Sequence, residues 1–188
     1  MEQFFRSIQA LQQRLNEAGI PSVVIGGVAV GTWGNPRVTR DVDLKALLGR
    51  QDADRLLALL TPGYVSLLPE PRTALQKQAM LFVEDASGVR LDLLLADTPY
   101  DVAAIRRGRD VEVAPNVVIR LCTPEDLIIY KLISTRPRDH DDARGVARRQ
   151  GDALDDRYVL DWLRQFETAL DDSTLVAQYR QWRRQPAR

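Results

Sequence analysis

The stretch V-V-I-G-G-V-A-V-G-T-W-G-N-P-R-V-T-R-D-V-D-L, residues 23 to 44, decides the fold. It opens on an apolar run, Val23 to Ile25, breaks on Gly26 and Gly27, and closes on a strand-like segment with Asp41 and Asp43 flanking Val42. Side chains alternate faces along a strand, so an extended Val38 to Leu44 sets Thr39, Asp41 and Asp43 on one surface, with Arg37 on the same parity. Two ionised carboxylates about 5 Å apart repel by roughly 3 kcal/mol at an effective dielectric near 20, and something must offset them. Hard Mg²⁺ is the natural candidate, because it binds carboxylate oxygen and keeps room for phosphate ligands. The glycines supply the complementary half. Lacking a Cβ, they let the chain turn sharply and let a bulky anion reach the amides at the start of the next helix, where the dipole favours negative charge.

Outward from this stretch, Phe4, Ile8, Leu11 and Leu15 recur at helical spacing, which predicts an amphipathic helix from Gln3 to Ala18 that stops at Gly19 and packs on the sheet. A short helix at Val28 to Trp33 ends at Gly34-Asn35-Pro36, and another spans Asp52 to Leu60, closed by Thr61-Pro62-Gly63. Tyr64 to Leu68 reads as a short strand. Gln78 to Glu84 and Val89 to Leu95, joined by Asp85-Ala86-Ser87-Gly88, read as a β-hairpin. Asp92 sits among leucines in its second strand, and a carboxylate there is costly unless it meets a partner. Beyond it lie a short helix over Ala103 to Arg107 and strand-like Val111 to Val113 and Val117 to Leu121. Thr123-Pro124-Glu125-Asp126 is a helix start, with a threonine cap, proline in the first turn and acids at the positive dipole end. That helix runs to about Ser134, Pro137 interrupts, and helices follow over Asp139 to Arg149, Tyr158 to Leu170 (stripe Val159, Trp162, Phe166, Ala169) and Thr174 to Arg184. The expectation is an α/β core over residues 1–122 with a mixed sheet flanked by helices, then a helical bundle over 123–188 that completes the active-site cleft.

The order Gly-Gly, short helix, then T-x-D-x-D on a strand resembles the nucleotidyltransferase superfamily with a DNA polymerase β-like catalytic core. The fuller string, G-G-V-A-V followed by N-P-R-V-T-R-D-V-D-L, looks most like its AbiEii-type toxin branch and related small bacterial nucleotidyltransferases. The likeness spans most of residues 4 to 150 and is specific over 26 to 44. It implies that Asp92 is the third carboxylate of a metal site, with Asp97 as a fallback that looks more like a turn or cap residue. Asp41, Asp43 and Asp92 would then hold two Mg²⁺ ions for in-line attack of an acceptor hydroxyl on the α-phosphate of a nucleoside triphosphate, with Asp92 also able to take the hydroxyl's proton. The same resemblance places Gly26, Gly27, Arg37, Thr39 and Lys131, with Arg138 and Asp142 of R-D-H-D-D, at the nucleotide. Lys131 stands among apolar neighbours on its helix, so it needs a reason to be there. The implied acceptors are a tRNA 3′ end, a protein side-chain hydroxyl or a small molecule such as an aminoglycoside, and the toxin branch implies a cognate antitoxin.

Plainer accounts compete. Asp41 and Asp43 would pair with Arg37, Arg40 or Lys45 on a solvated strand; Thr39 would be there for β-propensity; Arg138 to Asp142 would be a cap with surface ion pairs. A haloacid-dehalogenase-like phosphatase motif fails because Lys45 stands where Thr or Val belongs. G-G-V-A-V-G lacks dinucleotide-binding spacing, and no P-loop is present. A non-catalytic nucleotide-binding or antitoxin-interacting module with the same fold is the remaining alternative. With 45% hydrophobic and 28% charged residues and no apolar run near the ~20 residues of a membrane helix, the sequence reads as a cytoplasmic protein with no membrane segment. The single cysteine, Cys122, agrees with that reading, and one histidine, His140, argues against zinc. Residues 180–188 carry four arginines and no acid, suited to an RNA backbone or to a solvated helix end.

Overall fold

The computed structural model describes residues 1–184. The chain divides into two units, one of residues 1–28 and 39–122, the other of 29–38 and the chain from Thr123 on. The first unit comprises, in order, α1 (Glu2–Glu17), β1 (Ser22–Val24), the first turn of α2 (Gly26–Trp33), β2 (Asp41–Ala46), α3 (Ala53–Leu60), β3 (Tyr64–Ser66), α4 (Pro71–Gln78), β4 (Met80–Asp85), β5 (Arg90–Leu95), α5 (Pro99–Arg107), β6 (Arg109–Ala114) and β7 (Val117–Leu121). Its strands form one mixed sheet, ordered β3-β4-β5-β2-β1-β7-β6, in which β2 with β5 and β1 with β7 are parallel and the other pairs antiparallel.

α1 forms because its apolar residues fall on one stripe: Ile8, Leu11 and Leu15 are wholly buried, and the helix ends where Gly19 adopts a φ of +69°. Gln12 fastens it to the sheet, donating to the Arg120 carbonyl and accepting from the Arg120 amide, both at 2.9 Å. The centre of the sheet follows strict alternation. Val42, Leu44 and Ala46 of β2 and Leu91, Leu93 and Leu95 of β5 point into the core, each no more than 1% exposed, and this leaves Asp41, Asp43 and Lys45 on the other face. Each buried leucine contributes about 1.5–3 kcal/mol. The hairpin turn between β4 and β5 is held by the Asp85 carboxylate, which accepts from the amides of Ser87 and Val89 at 2.9 Å, while Gly88 takes a φ of +76°.

Four details depart from the sequence reading. β2 starts at Asp41, not Val38; Val38 is 84% exposed, so the parity that grouped Arg37 and Thr39 with the acids does not extend that far back. Residues 71–77, to which the sequence assigns no element, and Gln78, expected to open the hairpin strand, form α4, which buries only Ala74 and Leu75 and begins with proline in its first turn; the strand itself starts at Met80. Thr98, rather than Asp97, caps α5, accepting from the Asp101 amide at 3.0 Å, and Asp97 pairs with Arg50. Pro137 opens a helix instead of interrupting one.

The second unit holds the rest of α2 and helices α6 (Pro124–Leu132), α7 (Pro137–Gln150), α8 (Asp156–Leu170) and α9 (Leu175–Arg183). Thr123 caps α6, accepting from the Asp126 amide and donating to its carboxylate at 2.6 Å. The buried stripe of α8 is Val159 and Leu163, with Trp162 and Phe166 half-buried and Ala169 exposed. The end of α2 is tied to α7: Gln150 donates to the Trp33 carbonyl at 2.7 Å, and Arg149 to that of Gly34. Of the arginine-rich tail, Arg183 forks onto Asp156 at 2.8 and 3.1 Å, Arg180 and Arg184 are exposed, and Arg188 lies outside the described residues. Among the described residues no helix is long and apolar enough to cross a membrane.

Candidate functional site

The parallel pairing of β2 and β5 sets Asp41 beside Arg90 and Asp43 beside Asp92. Register partners in a parallel ladder point to the same side, about 4.8 Å apart, so Asp41, Asp43 and Asp92 share one face of the sheet. Phe82 of β4 is Asp92's partner on the other side, and its ring lies beneath the Arg90 guanidinium, 4.8 Å from the ring centre. That guanidinium grips Asp92 in a fork, Nε to Oδ1 at 2.7 Å and Nη2 to Oδ2 at 2.9 Å. Its pKa is held above the ordinary value, first by this hydrogen bond, against partial burial, then by the charges of Asp92, Asp41 and Asp43. All three acids act on Arg90.

Gly26 closes the site from below. It adopts a φ of +61°, and a Cβ on it would lie 1.8 Å from Oδ2 of Asp43, so the carboxylate occupies the space a side chain would need. Gly27 plays the same part for Thr39: a Cβ would come within 2.6 Å of Oγ1, the hydroxyl that donates to the Asp41 carbonyl at 3.2 Å. Thr39 reaches the glycines from outside the strand, therefore, not through strand parity. Lys45, next along the acid face, pairs with buried Asp101 at 2.9 Å.

In the second unit, Lys131 is 6% exposed and pairs with Asp139 and, at 3.2 Å, with Asp142. Arg37 joins the same cluster at Asp142, also at 3.2 Å, with its Nε buried and lacking a hydrogen-bond partner. Asp139 further accepts from Ser134 at 2.7 Å and Arg136 at 2.6 Å. Burial pushes the Asp139 pKa up, but the hydrogen bonds from Lys131 and Ser134, the Lys131 charge and the Arg136 bond outweigh it and leave the carboxyl below the usual range. Arg138 is exposed and takes no part in the cluster. His140 is held between the Ser134 carbonyl (2.7 Å) and Gln178 (3.1 Å).

Among the described residues no three His, Cys, Asp or Glu side chains stand together as a closed metal-binding group. Asp92 has both oxygens engaged by Arg90, and Asp41 is exposed. The donor set is nonetheless all carboxylate oxygen, on neighbouring register positions over a glycine floor, which is the chemistry Mg²⁺ prefers. As the side chains stand, Arg90 holds Asp92 and the three carboxylates do not close around an ion. The sequence reading passed over Arg90, although its position two residues before Asp92 on the same strand places it on the same face.

No family model and no curated protein sequence matches the chain. Solved structures do. An antigenic nucleotidyltransferase-like protein from Paracoccidioides brasiliensis superposes with a TM-score of 0.52 at 15% identity, over 93% of this chain and 96% of that one. The antibiotic-resistance factor ANT(2'')-Ia gives 0.57 at 16% identity, over 90% and 94%. The lincosamide antibiotic adenylyltransferase LnuA, bound to lincomycin, gives 0.50 at 14% identity, over 78% and 96%. The chain has the nucleotidyltransferase fold.

Proposed function

We propose that the chain is a nucleotidyltransferase that moves a nucleoside monophosphate from a nucleoside triphosphate to an acceptor hydroxyl. The observation that carries this reading is the pairing of Asp43 with Asp92, with Asp41 on the same face and Asp43 seated against Gly26. Three carboxylates from two strands converge over a glycine bend and repel one another, and a divalent cation would offset that repulsion. Asp41, Asp43 and Asp92 would hold Mg²⁺, which when bound supplies positive charge to the triphosphate and lowers the pKa of the attacking hydroxyl. The amides of Gly26 and Gly27, at the start of α2, receive phosphate oxygens, and Thr39 keeps its position beside Gly27. Asp92 is suited to take the hydroxyl's proton. Lys131, with its ammonium committed to Asp139 and Asp142, is assigned to holding α7 against α6.

For the acceptor, a small-molecule hydroxyl is the first choice: ANT(2'')-Ia is described in complex with adenylyl-2''-tobramycin and superposes with a TM-score of 0.56 at 17% identity. A tRNA 3′ end ranks second, since one of the four tail arginines is already taken up by Asp156. A toxin role with a cognate antitoxin rests on the resemblance of residues 26–44 alone. The test is to incubate the protein with each α-labelled triphosphate, Mg²⁺ and a total cell extract, then separate small molecules, RNA and protein. Label among the small molecules supports the whole reading; label in RNA or protein keeps the reaction and changes the acceptor. Absence of label in every fraction, from folded protein, favours a nucleotide-binding module without turnover.

A further inference from the structure

We infer that Arg90 is the resident counter-cation of the acid face: it takes the place of a second divalent ion, so the face binds one such ion readily and a second only by opening the fork on Asp92. This rests on reading the acid face as the metal seat, and goes beyond it.

The charges set the terms. Three carboxylates carry three negative charges, and one permanently protonated guanidinium leaves two, the charge of a single divalent ion. Arg90 takes the facing lone pair of each Asp92 oxygen, at 2.7 and 2.9 Å, so while the fork is closed an ion can reach Asp92 only at its outer lone pairs, beside the guanidinium charge. The Phe82 ring under the guanidinium, 4.8 Å away at its centre, holds the fork in position. Yet Arg90 is not locked in. Its side chain is 43% exposed, against 13% for Asp92 and 8% for Lys131, so the guanidinium can swing into water at small desolvation cost. Arginine keeps its charge throughout the accessible range, so the guanidinium end of the fork stays available to competing anionic ligands. A triphosphate arriving with the first ion offers the guanidinium a second bidentate partner, which couples release of Asp92 to nucleotide binding.

Mn²⁺ binding, counted by electron paramagnetic resonance of the free ion, tests this on wild type, R90Q, R90K and D43N, without reference to turnover. Wild type is expected to bind one Mn²⁺ per chain well ahead of any second. R90Q is expected to bind the second about tenfold more tightly or better, the factor a charge-assisted fork supplies. R90K, which keeps the charge but loses the fork, is expected between the two, and it carries the test alone if R90Q does not fold. D43N is expected to lose the first ion. If the Arg90 variants fold and bind Mn²⁺ with wild-type number and affinity while D43N loses it, the inference about Arg90 is overturned and the metal seat stands. If wild type and variants alike bind no Mn²⁺, the seat itself is wrong, and this inference falls with it.

Discussion

The acid face of β2 and β5 and the charged seam of α6 and α7 both set carboxylates against lysine or arginine, but they differ in burial and in how many partners each charge has. In the seam, Lys131 and Asp139 are 6% and 4% exposed, and Asp139 accepts from three donors. On the acid face, Asp41 is exposed, all three carboxylates act on the Arg90 guanidinium, and that guanidinium has a path to water. A buried, closed ion cluster fixes helices relative to one another; an open, unbalanced one is matched to something that arrives from solution.

This contrast is sharpest in paired measurements. D43N should lower nucleotidyl transfer about a thousandfold or more, as loss of a metal-ligand carboxylate would, while costing less stability in urea than a break in the buried seam. K131M should do the opposite. It takes the buried ammonium from Asp139 and Asp142, which are left with Arg136 and Arg37 as charged partners, and should cost about 3 kcal/mol in urea, with K131M/D139N recovering part of the loss. Equal destabilisation by D43N and K131M would erase the distinction. G26A should cost about 1–3 kcal/mol and most of the activity, because the new methyl collides with Asp43 in a backbone region disfavoured for alanine. T123A, which loses only the α6 cap, should cost about 1 kcal/mol and leave activity near wild type.

The seam also has a pH signature. The folded-state pKa of Asp139 lies below its unfolded value, so its stabilisation is present above about pH 4 and is lost as pH falls through the folded pKa. D139N lacks it throughout. Unfolding midpoints of the two proteins should therefore differ at pH 7 and converge as the pH falls below about 4.

Where local pattern sufficed, the fold was legible in the sequence. The stripe Ile8, Leu11, Leu15 marked α1, Asp85 to Gly88 marked the hairpin, and the parity of Asp41 with Asp43 and the setting of Asp92 marked the acid face. α4 was missed because two buried residues make no period. Arg37 was misplaced because Gly34 to Arg40 pair with no strand, so alternation cannot be carried back across Pro36; its partner, Asp142, lies 105 residues away. Lys131 was correctly singled out as needing a reason to be buried, but the reason on view is a pair of carboxylates on the next helix, and no local signal separates that from a phosphate. Arg90 was legible in principle and overlooked, since an arginine near a strand end reads by default as a solvated side chain.

The direct measurement is a Mn²⁺ titration of the ¹⁵N-labelled protein followed by amide NMR, because the paramagnetic ion broadens only signals close to where it binds. At substoichiometric Mn²⁺ the account predicts that Gly26, Gly27, Asp41 to Leu44 and Arg90 to Leu93 broaden first. First broadening around Lys131 to Asp142, or uniform broadening over the surface carboxylates, would contradict it.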